Sequence, residues 1–304
     1  MYDVIIIGGG PAGLAASVYA ARKRLNTRLI SGDIGGQINR TLGIENYLGY
    51  QFIEGAELIE KFQSQVAQYP IDVEIGASVS KVTRIAGGFE VLLESGAKHQ
   101  SRAVVFAAGK RPRQLNVPGE AEFAAKGVSY CATCDGPLFA GKRVAVIGGG
   151  NSAFEAVLDL VKIAEHVDLV LLTKCTCDAI LEEKAKAAPN LEHYLGYETT
   201  RIEGKDFVER IVIRDMKSER EQALDVSGVF VEIGLIPNSD ALKDLLKLNE
   251  QGEVPVDCSS ATEVPGLFAA GDVTTVPEKQ IIVAAGEGAK AMLQAHRYLQ
   301  RLTV

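Results

Sequence analysis

The sequence lacks the features that mark several broad classes of protein. Its five cysteines are too few for the disulfide framework of a small secreted protein. A net charge of −7 argues against the basic surface that binds nucleic acid. The four histidines form no metal-ligand spacing, so no metal site is predicted. The 304 residues are 47% hydrophobic and 23% charged, which is typical of a globular protein of about two domains.

The sequence also has no uninterrupted hydrophobic run. Residues 4–21 carry no charge over 18 positions, but the Gly-Gly-Gly-Pro sequence at residues 8–11 would break a membrane-spanning helix. Asp3 stands where a signal peptide needs basic residues. The close spacing of four of the cysteines suggests a reducing compartment with chemistry at selected thiols. We therefore expect a cytoplasmic protein that does not associate with membranes.

What the sequence does contain is the same βαβ pattern twice. The first unit predicts a strand at residues 3–7, a glycine turn at 8–13, a helix at 14–24 and a strand at 27–30. The second predicts a strand at residues 144–147, a glycine turn at 148–150, a helix at 152–163 and a strand at 167–172. A repeat at this distance indicates two Rossmann-like dinucleotide-binding units and excludes a short-period solenoid.

Shorter strands are predicted between and after these units. They lie at residues 72–75, 88–93, 103–107, 211–215, 228–233 and 266–270, followed by a long helix at residues 280–299. Gly87 and Gly88 are typical of a hairpin turn. Two proline-containing stretches, residues 116–120 and 235–238, are the predicted chain crossings between the two units.

The first glycine turn carries a dinucleotide fingerprint. Gly8, Gly10 and Gly13 have the Gly-x-Gly-x-x-Gly spacing, after a predicted strand and before a predicted helix. Glycines here allow a tight turn and let backbone N–H groups approach a pyrophosphate at the helix N-terminus. An acid that binds the ribose is expected about 20 residues further on. Asp33 is the nearest acid, and it is either that ligand or a turn residue.

The second glycine turn repeats this spacing with Gly148, Gly150 and Ala153, and the fingerprint tolerates the alanine. An NAD site needs an acid at the end of the next strand, and an NADP site needs an arginine there. The Leu-Leu-Thr-Lys sequence at residues 171–174 offers neither. Lys174 is either a point charge for a phosphate or a solvated turn residue.

Two cysteines, Cys131 and Cys134, are separated by two residues and followed directly by Asp135. Cysteines at this spacing can close a small disulfide and reopen it. The alternatives are half of a zinc site and two buried bystanders, and the first is disfavoured because no second pair has matching spacing. Asp135 is placed to protonate a leaving thiolate.

Six motifs occur in an order that identifies a resemblance. They are Gly-Gly-Gly-Pro-Ala-Gly at residues 8–13, Gly-Gly-Gln at 35–37, Glu-Asn at 45–46, Cys-Ala-Thr-Cys-Asp-Gly at 131–136, Gly-Gly-Gly-Asn-Ser-Ala at 148–153 and Pro-Gly-Leu-Phe-Ala-Ala-Gly-Asp at 265–272. Over essentially the whole chain they resemble the bacterial-type, low-molecular-weight thioredoxin reductases. The related alkyl hydroperoxide reductase flavoprotein shares them and carries an extra thioredoxin-like N-terminal region. We expect that region to be absent here, because the first fingerprint begins at residue 8.

The resemblance implies a homodimeric FAD enzyme with an α/β fold of two Rossmann-like domains, the second inserted into the first. Residues 1–115 and 239–304 would form the FAD domain, and residues 116–238 the nicotinamide-type domain that carries the two cysteines. The residues implied at the FAD site are Gly10, Gly13, Gly36, Gln37, Asn46, Gly271, Asp272, Gln280 and Ile281.

The resemblance also implies a reaction. Electrons would pass from a donor through FAD and the Cys131/Cys134 pair to thioredoxin or a similar small protein disulfide. Cys134 would lie nearest the flavin, Cys131 would attack the protein disulfide, and Asp135 would donate or accept a proton. Rotation of the inserted domain about the two crossings would bring the dithiol and the nicotinamide to the flavin in turn.

One stretch departs from the family. Members that use NADPH carry arginines after the second strand of the inserted domain, whereas residues 171–179 contain Lys174, Cys175, Cys177 and no arginine. We therefore expect weak use of NADH and NADPH. A non-nicotinamide donor such as ferredoxin or a reduced flavin carrier, and a redox sensor without turnover, are the alternatives. Cys175 and Cys177 are bystanders, a second redox pair or half of a metal site.

Overall fold

The computed structural model describes residues 1–41 and 43–302. Residues 42, 303 and 304, which fall inside the predicted domain ranges, lie outside the described residues. The elements before the first chain crossing are β1 (Tyr2–Gly9), α1 (Pro11–Arg22), β2 (Thr27–Ile34), β3 (Gly43–Ile44), β4 (Ile53–Glu54), α2 (Gly55–Ala67), β5 (Asp72–Ile75), β6 (Val79–Ile85), β7 (Gly88–Leu93), β8 (Lys98–Phe106) and β9 (Lys110–Pro112).

The remaining elements follow in chain order. They are β10 (Val128–Ser129), α3 (Ala132–Asp135), β11 (Arg143–Ile147), α4 (Asn151–Leu160), β12 (His166–Leu171), α5 (Ala179–Lys186), β13 (Leu191–Leu195), β14 (Tyr197–Gly204), β15 (Val208–Asp215), β16 (Glu221–Asp225), β17 (Gly228–Val231), β18 (Leu235–Pro237), β19 (Leu267–Ala269) and α6 (Ile281–Leu302). Within the described ranges, no helix combines the length and the apolar character needed to cross a membrane.

The first sheet is built from both ends of the chain. Its strand order is β5-β2-β1-β8-β7-β6, and β19 pairs with β8 in parallel. β1 is apolar on both faces because both are covered: Val4 and Ile6 face the helices, and Ile5 and Ile7 face a second core. α1 and α6 approach so closely that a Cβ on Gly288 would lie 1.9 Å from the Ala12 carbonyl oxygen. The C-terminal helix is therefore part of the first unit.

The second sheet is wholly parallel, with the strand order β10-β17-β11-β12-β13. α4 covers one face, where Phe154 and Leu160 are fully buried against the strands. The three-stranded antiparallel sheet β14-β15-β16 contributes Ile202, Ile211 and Ile213 to the core on the other face. The strands of this sheet therefore end together at one edge, beside the second glycine turn.

The chain crosses between the two sheets at one short antiparallel pair, in which β9 pairs with β18. The second predicted crossing, residues 235–238, coincides with β18. The first crossing lies at β9, ahead of the predicted residues 116–120. That stretch instead forms a turn on β14: Ile202 N–H donates to the Pro118 carbonyl at 2.9 Å. Gly119 has φ +88°, and a Cβ there would lie 2.0 Å from the Ile202 carbonyl oxygen, so the turn needs glycine.

Candidate active site

A cavity of about 940 Å³ opens between the two sheets, within the size range of cofactor sites. It is lined by residues from the first glycine turn, the end of β2, the C-terminal segment and the two-cysteine motif. Predicted site residues that line it are Gly8, Gly10, Asp33, Gly36, Gln37, Asn46, Cys131, Cys134, Asp135, Gly271, Asp272, Gln280 and Ile281. Parts of the chain far apart in sequence therefore meet at one site.

The first glycine turn leaves room for a ligand above the start of α1. No atom lies within 4 Å of the position that a Cβ on Gly10 would take. α1 begins at Pro11 without a side-chain cap, so its first N–H groups face the cavity. Gly8 has φ +111°, and a Cβ there would lie 2.2 Å from the Ala107 carbonyl oxygen. These features fit a pyrophosphate held by backbone N–H groups.

Gly13 lies outside the cavity and has a packing role. A Cβ on Gly13 would lie 1.8 Å from the carbonyl oxygen of Gly8, so the third glycine lets α1 sit directly on the turn.

Asp33 lies near the end of β2, and its carboxylate accepts a hydrogen bond from the turn that follows. Its Oδ1 accepts a hydrogen bond from Gly36 N–H at 3.1 Å. The Ser31 hydroxyl accepts from Gly9 N–H at 2.7 Å and donates to the Asp33 carbonyl at 2.6 Å. Asp33 therefore both lines the cavity and contributes a hydrogen bond to the turn.

Two side-chain hydrogen bonds join the two ends of the chain around the cavity. Gln37 Nε2 donates to Asp272 Oδ2 at 2.8 Å, and Asn46 Nδ2 donates to Gln280 Oε1 at 3.1 Å. Burial raises the pKa of Asp272. α6 begins at Ile281, so its N-terminus, with its positive dipole end, also faces the cavity. The polar groups, the two helix N-termini and the volume fit a dinucleotide such as FAD.

Cys131 and Cys134 are joined by a disulfide, with Cα atoms 5.3 Å apart. Cys131 caps α3, and Cys134 N–H points at the Cys131 sulfur at 3.2 Å. α3 lies against β3 of the first unit. The disulfide therefore lines the same cavity as the first glycine turn.

Asp135 sits beneath this disulfide segment and is 7% exposed. Its Oδ2 accepts a hydrogen bond from the Ser129 hydroxyl at 2.6 Å. Its buried Oδ1 has no hydrogen-bond partner among residues 1–41 and 43–302. Burial raises the pKa of Asp135 to about 6. The carboxyl group, on the residue directly after Cys134, can therefore hold or release a proton near neutral pH.

A second carboxyl group at this site, that of Glu232, was not predicted from the sequence. This residue follows β17, and its Oε1 accepts a hydrogen bond from Ala132 N–H at 3.3 Å, inside the two-cysteine motif. Burial raises the pKa of Glu232 to about 7. An acid at the carboxyl end of a parallel strand is a recognisable signal, because ligand sites lie at that edge. The predicted strand, residues 228–233, placed Glu232 inside the sheet.

The second glycine turn lies outside this cavity. Gly148 has φ +149°, and a Cβ there would lie 2.2 Å from the Glu232 carbonyl oxygen. Gly150 caps α4, and Ala153 is a buried residue of that helix. Lys174 is exposed on the loop after β12. The structure thus places these four predicted nucleotide ligands along a separate edge, that of the second sheet.

One cluster outside the cavity has metal-ligating side chains. The ligand atoms of His166, Asp168 and Glu192 lie within 4.8 Å of one another. Arg143 Nε and Nη2 donate to the two Asp168 oxygens at 2.9 and 3.0 Å. The guanidinium already neutralises the buried carboxylate, so the cluster is an ion-pair network at the start of the strands.

Comparisons with known proteins agree with this architecture. Residues 2–288 match the pyridine nucleotide-disulphide oxidoreductase family. An alkyl hydroperoxide reductase component from Staphylococcus aureus (strain MSSA476) is 43% identical over 301 residues, which are 99% of this chain and 59% of that protein. Thioredoxin reductase from Streptococcus pyogenes MGAS5005 is 35% identical over 99% of both chains, with a TM-score of 0.94. That of Lactococcus lactis, described as the FR conformation, is 32% identical over 99% and 100% of the chains, with a TM-score of 0.68.

The chain therefore belongs to the pyridine nucleotide-disulphide oxidoreductases, oxidoreductase enzymes that bind FAD and use NAD(P)H. Within that family it has the fold of the thioredoxin reductase-like flavin disulfide oxidoreductases. The predicted family and the predicted α/β fold of two Rossmann-like domains are confirmed. The chain spans about three fifths of the length of the curated relatives it matches.

Proposed function

We propose that this chain is an FAD-containing, NAD(P)H-dependent disulfide reductase that reduces thioredoxin or a similar small protein disulfide through Cys131 and Cys134. One observation carries the proposal: the redox disulfide and the first dinucleotide turn line the same cavity. The similarity to proteins named as thioredoxin reductases supports the choice of acceptor.

The first glycine turn, Gln37, Asn46, Asp272 and Gln280 would hold FAD, because they surround the open space above the start of α1. When bound there, FAD would carry two electrons from NAD(P)H to the disulfide. The remaining chemistry belongs to the side chains of this chain.

Opening the disulfide takes up two electrons and leaves two sulfur atoms that need protons. Asp135, with a pKa of about 6, would deliver a proton from its unpartnered Oδ1, while Ser129 holds the other oxygen in place. The Cys131 thiolate would then attack the acceptor disulfide, and Cys134 would displace the reduced acceptor and re-form the bond. Asp135 would accept the proton that Cys134 gives up in that step, and the two sulfur atoms of the acceptor would take up one proton from Asp135 and one from solvent.

Domain rotation would separate the two half-reactions. The proposed FAD domain comprises residues 1–115 and 239–304, and the proposed inserted domain comprises residues 116–238, with the β9–β18 pair between them. Two thioredoxin reductases that match the whole chain at similar identity superpose on it with different TM-scores, 0.94 and 0.68. This difference supports two arrangements of these parts.

We place the enzyme in the cytoplasm, as a homodimer.

The nicotinamide nucleotide would bind along the second glycine turn, Gly148, Gly150 and Ala153, at the N-terminus of α4. Lys174 is exposed and is a weak clamp for a 2′-phosphate, which planar arginine binds better. The exposed lysine supports weak binding of both nucleotides. It also supports a second candidate function, in which ferredoxin or a reduced flavin carrier donates electrons for the same disulfide chemistry.

An anaerobic titration of the purified protein separates these functions. Bleaching of the flavin absorbance by NADH or NADPH supports the proposal. Bleaching by dithiothreitol alone favours the alternative donor. A protein that binds FAD but bleaches with neither reagent would be a redox sensor, and the proposal would be withdrawn.

A further inference from the structure

A second pair of thiols lies on the loop between β12 and α5. Cys177 N–H points at the Cys175 sulfur at 3.2 Å, and both side chains are half-buried. The two thiol side chains also share a hydrogen bond, so their sulfur atoms are neighbours. Burial, followed by the contact with the Cys175 thiol, raises the pKa of Cys177 to about 11.

This loop is fastened to the second glycine turn. Thr176, between the two cysteines, donates from its N–H and its hydroxyl to the Gly149 carbonyl, at 2.8 and 3.2 Å. Asp178 N–H donates to Asn151 Oδ1 at 2.8 Å, and Asn151 Nδ2 donates to Asp178 Oδ2 at 3.1 Å. The position of the cysteine backbone is therefore coupled directly to the turn and to the first residue of α4.

We propose that Cys175 and Cys177 form a second, regulatory disulfide by exchange with a small-molecule disulfide, and that this disulfide weakens nicotinamide nucleotide binding at the adjacent glycine turn. The effect on the nucleotide rests on the function proposed above, whereas formation of the disulfide does not.

The exchange is balanced in atoms and electrons. Cys175 attacks the small disulfide as its thiolate and releases one thiol, and Cys177 then gives up its proton and displaces the other. Two S–H bonds are lost from the protein, one S–S bond forms, and two thiols leave. The small disulfide is reduced as the protein pair is oxidised.

The consequence for the loop follows from its size. Only one residue separates the cysteines, so a disulfide between them closes a small ring that includes the backbone of Thr176. In the proposal, the torsion angles of this ring differ from those of the open loop, which weakens the Thr176–Gly149 hydrogen bonds and loosens the loop from the turn. Losing one or two such hydrogen bonds corresponds to a roughly 3- to 10-fold weaker affinity for a ligand that needs the ordered turn.

The disulfide is tested in a chain carrying Cys131→Ser and Cys134→Ser, which removes the redox-active pair. After treatment with oxidised glutathione, the tryptic peptide of residues 175–184 should resist alkylation at both cysteines and regain two reactive thiols on reduction. Cys258, the exposed third free cysteine, is the matched control and should take up glutathione instead. Two free thiols, or stable glutathione adducts, at Cys175 and Cys177 would overturn the proposal.

The regulatory effect is tested by calorimetric titration of the same protein with NADH. Oxidation should raise the dissociation constant about 3- to 10-fold, and a further Cys177→Ser change should abolish this response. An oxidised loop with unchanged affinity would overturn the regulatory role. If the reduced protein binds neither NADH nor NADPH, the proposed nicotinamide function fails and the regulatory role fails with it, whereas the peptide result decides the disulfide alone.

Discussion

Two carboxyl groups, the buried Asp135 and the half-buried Glu232, contact the disulfide segment from different elements. Asp135 belongs to the segment itself, and Glu232 reaches it from the end of β17 through the N–H of Ala132. Their pKa values of about 6 and about 7 arise mainly from burial, which disfavours the charged form. Both groups therefore titrate in the range where an acid–base catalyst is most effective.

Replacing Asp135 with asparagine keeps the shape of the side chain and removes its proton. We expect the rate of disulfide reduction to fall about 100-fold or more. The step with an apparent pKa of about 6 in the wild-type profile should also disappear. Stopped-flow measurement of protein disulfide reduction between pH 5 and 8 checks both points. Asp159→Asn, at another acid lining the cavity, is the control and should keep the rate and the profile.

Glu232 should make stability depend on pH. Its pKa is raised from an ordinary 4.5 to about 7, so the fold favours the neutral acid. That contribution is complete below pH 4.5 and is lost as pH rises to about 7. Because Asp135 is largely ionised above pH 6, Glu232→Gln should reduce the fall in unfolding free energy between pH 6 and 8. Urea unfolding at the two pH values measures this, and an equal fall in both proteins would contradict the assignment.

Installing arginine at both Thr173 and Lys174 should improve the use of NADPH. A guanidinium binds a 2′-phosphate with several donors, and a charge-assisted contact corresponds to about 10- to 100-fold in affinity. The Michaelis constants for NADPH and NADH in both proteins are the measurement. Only the NADPH constant should fall. Unchanged constants would favour the ferredoxin-type or flavin-type donor.

At the scale of elements, the sequence predicted those with a strong local signal. β5 and β7 have the predicted bounds, the first glycine turn overlaps the end of β1, and the second follows β11. α1 begins at Pro11, earlier than the predicted residue 14, because proline is favourable in the first turn of a helix. α2 was missed although four of its residues, Gly55, Leu58, Ile59 and Val66, are buried with helical spacing.

The site residues that could be predicted from the sequence are likewise those with a strong local signal. The glycines and the two cysteines are visible as local motifs, whereas Gln37–Asp272 is a contact between residues more than 200 positions apart. Predicting Glu232 as a site residue requires knowing where β17 ends. Strand ends are set by hydrogen bonding to neighbouring strands, which the local sequence does not specify.

The start of α1 should control FAD binding separately from folding. In Gly10→Val the new side chain enters the open space of the cavity, so we expect a folded protein that purifies without yellow colour. In Gly13→Val it would collide with the Gly8 carbonyl, so we expect a lower melting temperature as well. Gly286→Val, at an exposed position of α6 with open space, is the control and should keep FAD. Absorbance at 450 nm per chain and thermal unfolding distinguish the three variants. A yellow Gly10→Val protein would refute the placement of the cofactor.

At the scale of the whole molecule, a cation–π contact links the two parts beside the cavity. The guanidinium of Arg40, from the first unit, lies 5.8 Å from the ring centre of Tyr130, from the inserted part. Such contacts stabilise by about 0.5–1 kcal/mol at accessible sites. The contact favours the arrangement in which the disulfide faces the cavity.

Arg40→Ala should therefore shift the balance of arrangements by about 2- to 5-fold. Flavin reduction by NADPH should become faster by that factor, since the disulfide leaves the cavity more often. Anaerobic stopped-flow measurement at 450 nm tests this. Arg84→Ala removes a similar contact with Phe89 inside the first unit and should leave the rate unchanged. A slower rate in Arg40→Ala would show that the contact does not hold the two parts together.

The β9–β18 pair also has a consequence for synthesis of the protein on the ribosome. Its strands enclose the inserted part, so that part can fold as soon as β18 has emerged. The first sheet must wait, because β19 and α6 are made after the inserted part and supply one of its strands and the helix packed on α1. Since contacts between residues distant in sequence slow folding, the N-terminal sheet lacks its remaining strand and helix while the inserted part folds. The chain thus assembles from the middle outwards, and its first glycine turn gains a finished surrounding only when the last helix docks.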